Sequence, residues 1–404
     1  MSTSLLYHAL NIVGYRYRKT EYVGKEIIFT IEQDPRTFRC SNCGSDQVIK
    51  RGATWRSFDA PGFALKRIVI KLEVQRVECH VCNKVRQVKI GFAEENRRFI
   101  RQFERCVLDL SNHMTIQDMA RHFGVSWDVV KDIQKRYLKR KFSRPALKSL
   151  RRIAIDEIYV GKKGKFLTIV LDLDTGAVVF VGEGKSADAL EPFWKRLNRT
   201  RKKIEAVAID MSKAYIHAVT TKLPNAVLVF DHFHVIKLFN EKLTDLRREL
   251  YRELTDLMQK EVLKGIRWLL LKNPENLNDK KNERERLEEA LRLNQPLACA
   301  YYLKEDLRQI WNQADKATAE AVLQDWLCRA EASGIRVVKK FAQTLAKYRS
   351  GILAYYDHPI STGPLEATNN KIKTLQRQAY GFRDRNFFIL KIYAIHLSKY
   401  ALVG

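Results

Sequence analysis

The sequence predicts a multidomain α+β chain: a small β module at the N-terminus, a short all-helical module, and an α/β core interrupted by an all-α segment. Three observations carry this. Apolar residues alternate with period two in residues 1–95 ("EIIFTIEQ", "LKRIVIKLEVQRVEC"), and the period turns helical from "EENRRFIRQF" to "LKRK". Five strand-like segments then follow in a β-β-β-α-β-α-β order, before a helical stretch from about Val235 to Tyr356 that is too long to be a loop. The chain of 404 residues, 46% hydrophobic, is long enough to bury several cores. Its formal charge of +27 exceeds what solubility needs and points to a polyanionic partner, nucleic acid first. Residues 1–150 carry 29 basic and 15 acidic side chains, so basicity is densest there. No apolar run reaches the length of a membrane span, and "SLLYHALNIVGYRYRK" places its positive charges after its apolar part, the reverse of a secretory signal. The expected location is cytoplasmic.

In the first module, Cys40-Ser-Asn-Cys43 and Cys79-His-Val-Cys82 each set two thiolates across a tight turn. Two such knuckles close a tetrahedral four-cysteine site for one structural Zn2+, the mark of a zinc ribbon. The 35 residues between the pairs are expected to fold back as a hairpin and bring the knuckles together, with His80 as a substitute ligand. Cys106, Cys299 and Cys328 are expected as buried thiols.

The second module, "TIQDMARHFGVSWDVVKDIQKRYLKRK", has the marks of a helix-turn-helix. Ala120 permits a close helix crossing, Gly124 supplies a positive φ in the turn, Val125 and Val130 are core contacts, and Ser126 caps the second helix. That helix, from about Trp127 to Leu138, is the expected recognition helix, with Lys131, Lys135 and Arg136 facing DNA phosphates or base edges. A helical hairpin packed on the core is the alternative. "FSRPALKSL" reads as the connector to the next domain.

In the core, "AIDEIYV" puts Asp156 in an apolar strand with Glu157 on the opposite face, and "VAIDMS" puts Asp210 at the end of a later strand. Three antiparallel strands, a helix and a parallel strand beside the first bring the two aspartates together, the ribonuclease-H-like layout. Adjacent carboxylates in an apolar sheet repel each other and require a cation, Mg2+ or Mn2+. Glu366, near the start of the helix "STGPLEATNNKIKTLQRQAYGF", is the expected third carboxylate, with Thr362 as its N-cap and Pro364 in its first turn. Asn370, Lys373 and Arg377 follow on the same face, placed for DNA phosphates. Two hard cations held about 3.5–4 Å apart by three carboxylates catalyse in-line displacement at a phosphodiester. Asp172 and Asp174 in "LDLDTGAV" read as strand-end and hairpin-turn residues. Trp268, Trp311 and Trp326 read as core residues of the helical segment.

At these residues the chain resembles the DDE transposases of bacterial insertion sequences, specifically the ISL-three family. The likeness runs nearly end to end: the four-cysteine ribbon, the helix-turn-helix, "AIDEIYVGKKGKFLTIVLDLDTG", "VAIDMSKAY", "VFDHFHVIK" and "GPLEATNNKIKTLQRQAYGFRD". The resemblance implies an acidic triad of Asp156, Asp210 and Glu366 holding two Mg2+ (or Mn2+) and acting in cleavage and strand transfer. It implies binding to the element's terminal inverted repeats and to target DNA, with a homodimer expected on paired ends at the nucleoid. It also makes Asp231 and His234 of "DHFH" either an auxiliary Asp-x-x-His element or a capped helix start with a satisfied histidine. The expected domains are residues 1–95 (zinc ribbon), 96–145 (helix-turn-helix), 150–235 (core, first part), 236–356 (all-α insertion) and 357–404 (core, last part). An inactive DNA-binding regulator and a structure-specific nuclease of the same fold are the alternatives. The intact triad argues against the first, and joined DNA products would exclude the second.

Overall fold

A computed structural model describes residues 5–63, 66–161, 165–200 and 203–396. They form two compact units, one ending at Ser143 and one spanning Arg144–His396.

The first unit is built on a sheet of β1 (Tyr15–Val23), β2 (Glu26–Gln33), β3 (Val48–Phe63), β4 (Lys66–Cys79) and β5 (Val85–Gln87), preceded by the short α1 (Leu5–His8). The order is β1-β2-β4-β3, with β5 paired to β4. The period-two pattern of β4 turns Ile68, Ile70, Leu72 and Val74 inward. β3 and β4 pair antiparallel from Val48↔Cys79 to Phe63↔Lys66, so the segment between the two cysteine pairs does fold back on itself.

Three helices follow: α2 (Arg101–Leu110), α3 (Ile116–Phe123) and α4 (Trp127–Phe142). Thr115 caps α3, accepting from the Asp118 amide at 3.1 Å, and Ser126 caps α4, accepting from the Val129 amide at 3.4 Å. Between them Gly124 sits at φ 63°, the left-handed conformation a tight helix–helix turn requires. Sheet and helices share one core, in which Phe58, Phe92, Phe103, Val107, Met119, Val130 and Ile133 are all buried. The rings of Phe58 and Phe92 lie 5.2 Å apart and those of Phe103 and Phe123 5.0 Å apart. The expected boundary between residues 95 and 96 falls inside this shared core.

The second unit carries β6 (Arg152–Gly161), β7 (Lys165–Asp172), β8 (Val178–Glu183), β9 (Ala206–Ile209) and β10 (Val227–Phe230). The sheet order is β10-β9-β6-β7-β8, antiparallel from β6 to β8 and parallel from β6 through β9 to β10. α5 (Glu191–Thr200) and α6 (Lys213–Lys222) supply the crossovers. From α7 (His232–Glu253) the chain is helical through α8 (Leu257–Gly265), α9 (Glu283–Leu293), α10 (Gln295–Leu307), α11 (Lys316–Ala332), α12 (Arg336–Lys347) and α13 (Arg349–Leu353). It then returns to the sheet as α14 (Gly363–Gln378) and α15 (Arg385–Tyr393). One buried cluster runs from Leu147 in the approach to β6 to Leu353 in α13, so the helical segment and the sheet share a core. Phe239 knits it, packing edge-on against Trp326 and Phe341.

Trp326 is buried as expected and donates to the Leu303 carbonyl at 2.7 Å. Trp268 is not: it is 64% exposed, because the chain leaves α8 in a tight turn that buries Leu269 and Leu270 instead. Nor are the lone cysteines buried, since Cys106 and Cys299 are half-buried and Cys328 is exposed on the outer face of α11. No helix among the described residues is long and apolar enough to cross a membrane.

α13 lies against β10 at Gly351, where a β-carbon would sit 2.4 Å from two ring carbons of Phe230. Gly351→Ala is therefore expected to destabilise the unit by roughly 1–3 kcal/mol. Thermal unfolding at the wild-type temperature would show that Phe230 yields without cost.

Candidate active site and cysteine cluster

In the first unit the four cysteines converge. Cys40 Sγ lies 3.6 Å from Cys82 Sγ and Cys43 Sγ 3.5 Å from Cys79 Sγ, and all four sulfurs fall within 4.8 Å of one another. Thiolates about 2.3 Å from a central zinc stand about 3.8 Å apart, so this spacing fits a tetrahedral ion and is far too long for a disulfide. The knuckles have matching geometry. The residue after each second cysteine, Gly44 (φ 79°) and Asn83 (φ 50°), is left-handed, and its amide returns to the first cysteine's carbonyl at 2.9 Å. Backbone amides of Cys43 and Asn42 pointing at Cys40 bring its thiol down to about 6, favouring the thiolate a metal requires. His80 donates its backbone amide to Gln47, and the four sulfurs leave it no place in the cluster.

In the second unit the register does the work. β6 pairs with β9 at Ala154↔Ala208, which puts Asp156 and Asp210 at the same level of adjacent parallel strands. β9 pairs with β10 at Ile209↔Phe230, which adds Asp231 to the same row. The three aspartates have different surroundings. Asp156 is pushed up to about 6, first by burial, with the charges of Glu157 and Asp210 adding to the rise and His234 opposing it. Asp210 accepts the Ser212 amide at 2.9 Å, at the entry to α6.

Asp231 is buried and committed. One oxygen accepts the Phe233 amide at 2.7 Å and starts α7; the other accepts both the amide and the hydroxyl of Thr362, the hydroxyl at 2.9 Å. Thr362 occupies the N-cap position of α14, yet its side chain donates to Asp231 instead of capping the helix. Asp231 thus joins the starts of α7 and α14 across 131 residues. Asp231→Ala is expected to cost about 2–4 kcal/mol, since it strips one helix of its cap and leaves two buried Thr362 donors unpaired. A thermal midpoint equal to wild type would contradict this role.

α14 meets β6 through Asn369 and Gln376, on the side of the helix where Leu365 and Ile372 are buried. Asn369 Nδ2 donates to Asp156 Oδ2 at 2.8 Å, and Gln376 Nε2 to the Val160 carbonyl at 2.6 Å. Glu366 flanks this stripe, half-buried, with Oε1 3.1 Å from His234 Nε2. That nitrogen makes no hydrogen bond. Asn369 Oδ1 is likewise buried without a partner. Two polar atoms without hydrogen bonds thus belong to the residues that contact the half-buried Asp156 and Glu366 carboxylates. The oxygen-rich donor set there suits a hard divalent cation. Among the described residues, the cysteines are the group of three or more candidate ligands whose atoms converge, all within 4.8 Å of one another.

On the opposite face of the sheet, Glu157 is raised by burial and lowered by its hydrogen bond to Tyr215, a residue of α6. Asp172 and Asp174 hold the β7–β8 turn: Asp172 accepts from the Asp174 amide and the Thr175 hydroxyl, and Asp174 pairs with Arg152.

Asn370, Lys373 and Arg377 are exposed along α14 on the stripe that begins at Glu366. In α4, Lys131 lies 5.2 Å over the Trp127 ring, and Lys135 is half-buried one turn further. Arg136 is spoken for: its guanidinium pairs with Glu104 at 2.9 Å and Asp132 at 3.1 Å and lies over the Phe99 ring. That engagement ties α4 to α2.

Residues 153–392 match a family profile described as a transposase, and residues 88–138 match the helix-turn-helix domain of transposase family ISL3. The transposase for insertion sequence element IS1001 from Bordetella parapertussis is 31% identical over 388 residues, covering 94% of this chain and 95% of that one. The chain belongs to the ISL3 family of DDE transposases. The transposase for insertion sequence element IS1557 from Mycobacterium tuberculosis is 28% identical, covering 86% of this chain and 83% of that one. A Drosophila P element transposase in its strand transfer complex superposes with a TM-score of 0.42 at 10% identity, over 74% of this chain and 91% of that one. ISL3 membership makes this protein a DNA transposase, an enzyme that cleaves DNA and transfers strands with divalent metal.

Proposed function

We propose that the protein binds the terminal inverted repeats of its insertion sequence, cleaves the element ends and joins the exposed 3′-hydroxyls to target DNA at a site made by Asp156, Asp210 and Glu366. The observation that carries this reading is Asp156: a half-buried carboxylate level with Asp210 and tied through Asn369 to the helix that bears Glu366. The 3-2-1-4-5 strand order with a carboxylate-bearing helix on the sheet supports a ribonuclease-H-like core of residues 150–235 and 357–396, with 236–356 as its insertion; residues 397–404, expected in the same core, lie outside the described residues.

Asp156, Asp210 and Glu366 would hold two Mg2+, which when bound supply activation of the attacking hydroxyl and neutralisation of charge at the leaving oxygen. Such cations would offset the mutual repulsion of the carboxylates. Asn369 orients the Asp156 carboxylate, His234 stands against Glu366, and Asp231 fixes where α14 begins, so that all three serve the site as positioning residues. Lys373 and Arg377, with Asn370, offer charge and hydrogen bonds to phosphates along the stripe leading from Glu366. Within residues 1–143, one Zn2+ on Cys40, Cys43, Cys79 and Cys82 folds the ribbon, and α4 enters DNA through Lys131 and Lys135. A homodimer pairing two ends fits a reaction that must process both.

The test is a DNA duplex carrying one element end, incubated with protein and Mg2+. Nicked ends together with products joined to a second DNA support the reading; cleavage without joined products would leave a nuclease.

A further inference from the structure

Five non-glycine residues among those described have positive φ, and four of them are asparagines. The fifth is Tyr380, at φ 50°. Asparagine tolerates the left-handed region through local hydrogen bonds; an aromatic side chain gains nothing there and pays a steric penalty. Its side chain is also fully exposed, at 101% of its reference area, so no packing among the described residues offsets the strain. The position is the end of α14, where glycine is the usual choice.

The pedestal beneath it is firm. The Tyr380 amide donates to the Arg377 carbonyl at 3.0 Å, the Gly381 amide to the Gln376 carbonyl at 2.9 Å, and the Gln376 side chain is fastened to β6. Arg377 and Arg383, three residues to either side of it, are exposed, and among the described residues neither has an ion-pair partner. A rigidly held, unpacked aromatic ring amid unpaired cations matches what a nucleic acid strand offers: a π-face to stack on and phosphates beside it.

We infer that Tyr380 is a base-stacking residue, inserting against an unpaired or unstacked base of the bound DNA. Fourteen residues of helix and cap separate it from Glu366, about 20 Å at the helical rise, so the stacked base lies no further than about six nucleotides from the reacting phosphate. The inference rests on the proposed DNA-cleaving site and adds a positioning residue to it.

The experiment uses the full chain and end-bearing duplexes with 2-aminopurine placed singly through the flank of the cleavage site. Wild-type protein is expected to change the fluorescence at one position within that span. Tyr380→Gly, which relieves the strain, should unfold at the same or a higher temperature, lose that signal and bind about tenfold or more weakly with an unchanged salt dependence. Tyr380→Phe and Tyr380→Trp should keep signal and affinity. A glycine variant that retains both would overturn the inference, as would lost affinity with a shallower salt dependence, which marks a phosphate contact. Loss traced to reduced self-association would overturn it in favour of a protein contact. Failure of the wild type itself to bind end DNA would instead sink the reading of the site on which the inference rests.

Discussion

Asp156→Asn is expected to be inactive in DNA cleavage and more heat-stable than the wild type. Burial and neighbouring carboxylates raise Asp156 from 3.8 to about 6 in the folded protein, so the native state holds this proton more tightly than the unfolded chain does. Stability therefore falls as pH climbs from about 4 to 6, and the whole penalty is present above 6. A displacement of this size corresponds to roughly 1–3 kcal/mol for a buried group, which asparagine, uncharged and nearly the same shape, abolishes. The stabilisation relative to wild type should be small at pH 4, grow through pH 6 and level off. Mg2+ should raise the melting temperature of the wild type and leave that of the variant unmoved. Equal melting temperatures at pH 7 and pH 4 would show that Asp156 is not held in this unfavourable state. The gain in stability with loss of function is the pattern of a site arranged for chemistry at the fold's expense.

Cys79→Ser should remove zinc from the chain and collapse the knuckles. Cys79 is wholly buried at the end of β4, and its knuckle is closed by backbone bonds to Lys84 and Asn83, so a ligand lost there exposes the hairpin end as well. Structural zinc supplies folding free energy directly, and the expected result is a fall from one zinc per chain to none, with the first unit melting roughly 10 °C or more lower. Because sheet and helix-turn-helix share one core, binding to end DNA should fail with it. Unchanged metal content in the serine variant would remove the cysteines from the account.

What the sequence disclosed and what it hid follow from the range of the interactions. The cysteine knuckles, the Gly124 turn and the caps at Thr115 and Ser126 are settled within a few residues, so their spacing is readable. The level placement of Asp156 and Asp210 follows from strand order and direction. The partners of these residues are not local. Asn369 reaches Asp156 across 213 positions, Thr362 reaches Asp231 across 131, and Arg136 reaches Glu104 across 32, so no window of sequence joins them. Asn369 was hidden for a further reason: it sits beside Asn370, and only the rotation of α14 on the sheet decides which amide faces in. Trp268 went astray because a helical pattern was carried through residues 266–271, where the chain makes a tight turn instead. Asp231 likewise shares the row of Asp156 and Asp210, and its bonds to Thr362, 131 positions on, could not be read from its neighbours.

Glu366→Gln tests the central claim most directly. The change keeps the size and helix propensity of the side chain and removes only its charge, so α14, with its ties through Asp231, Asn369 and Gln376, should remain in place. Cleavage of an end-bearing duplex in Mg2+, measured at saturating protein alongside the affinity for the same DNA, should fall by about a thousandfold or more with binding unchanged. Cleavage within tenfold of wild type at equal binding would contradict the assignment of Glu366 to the acidic site.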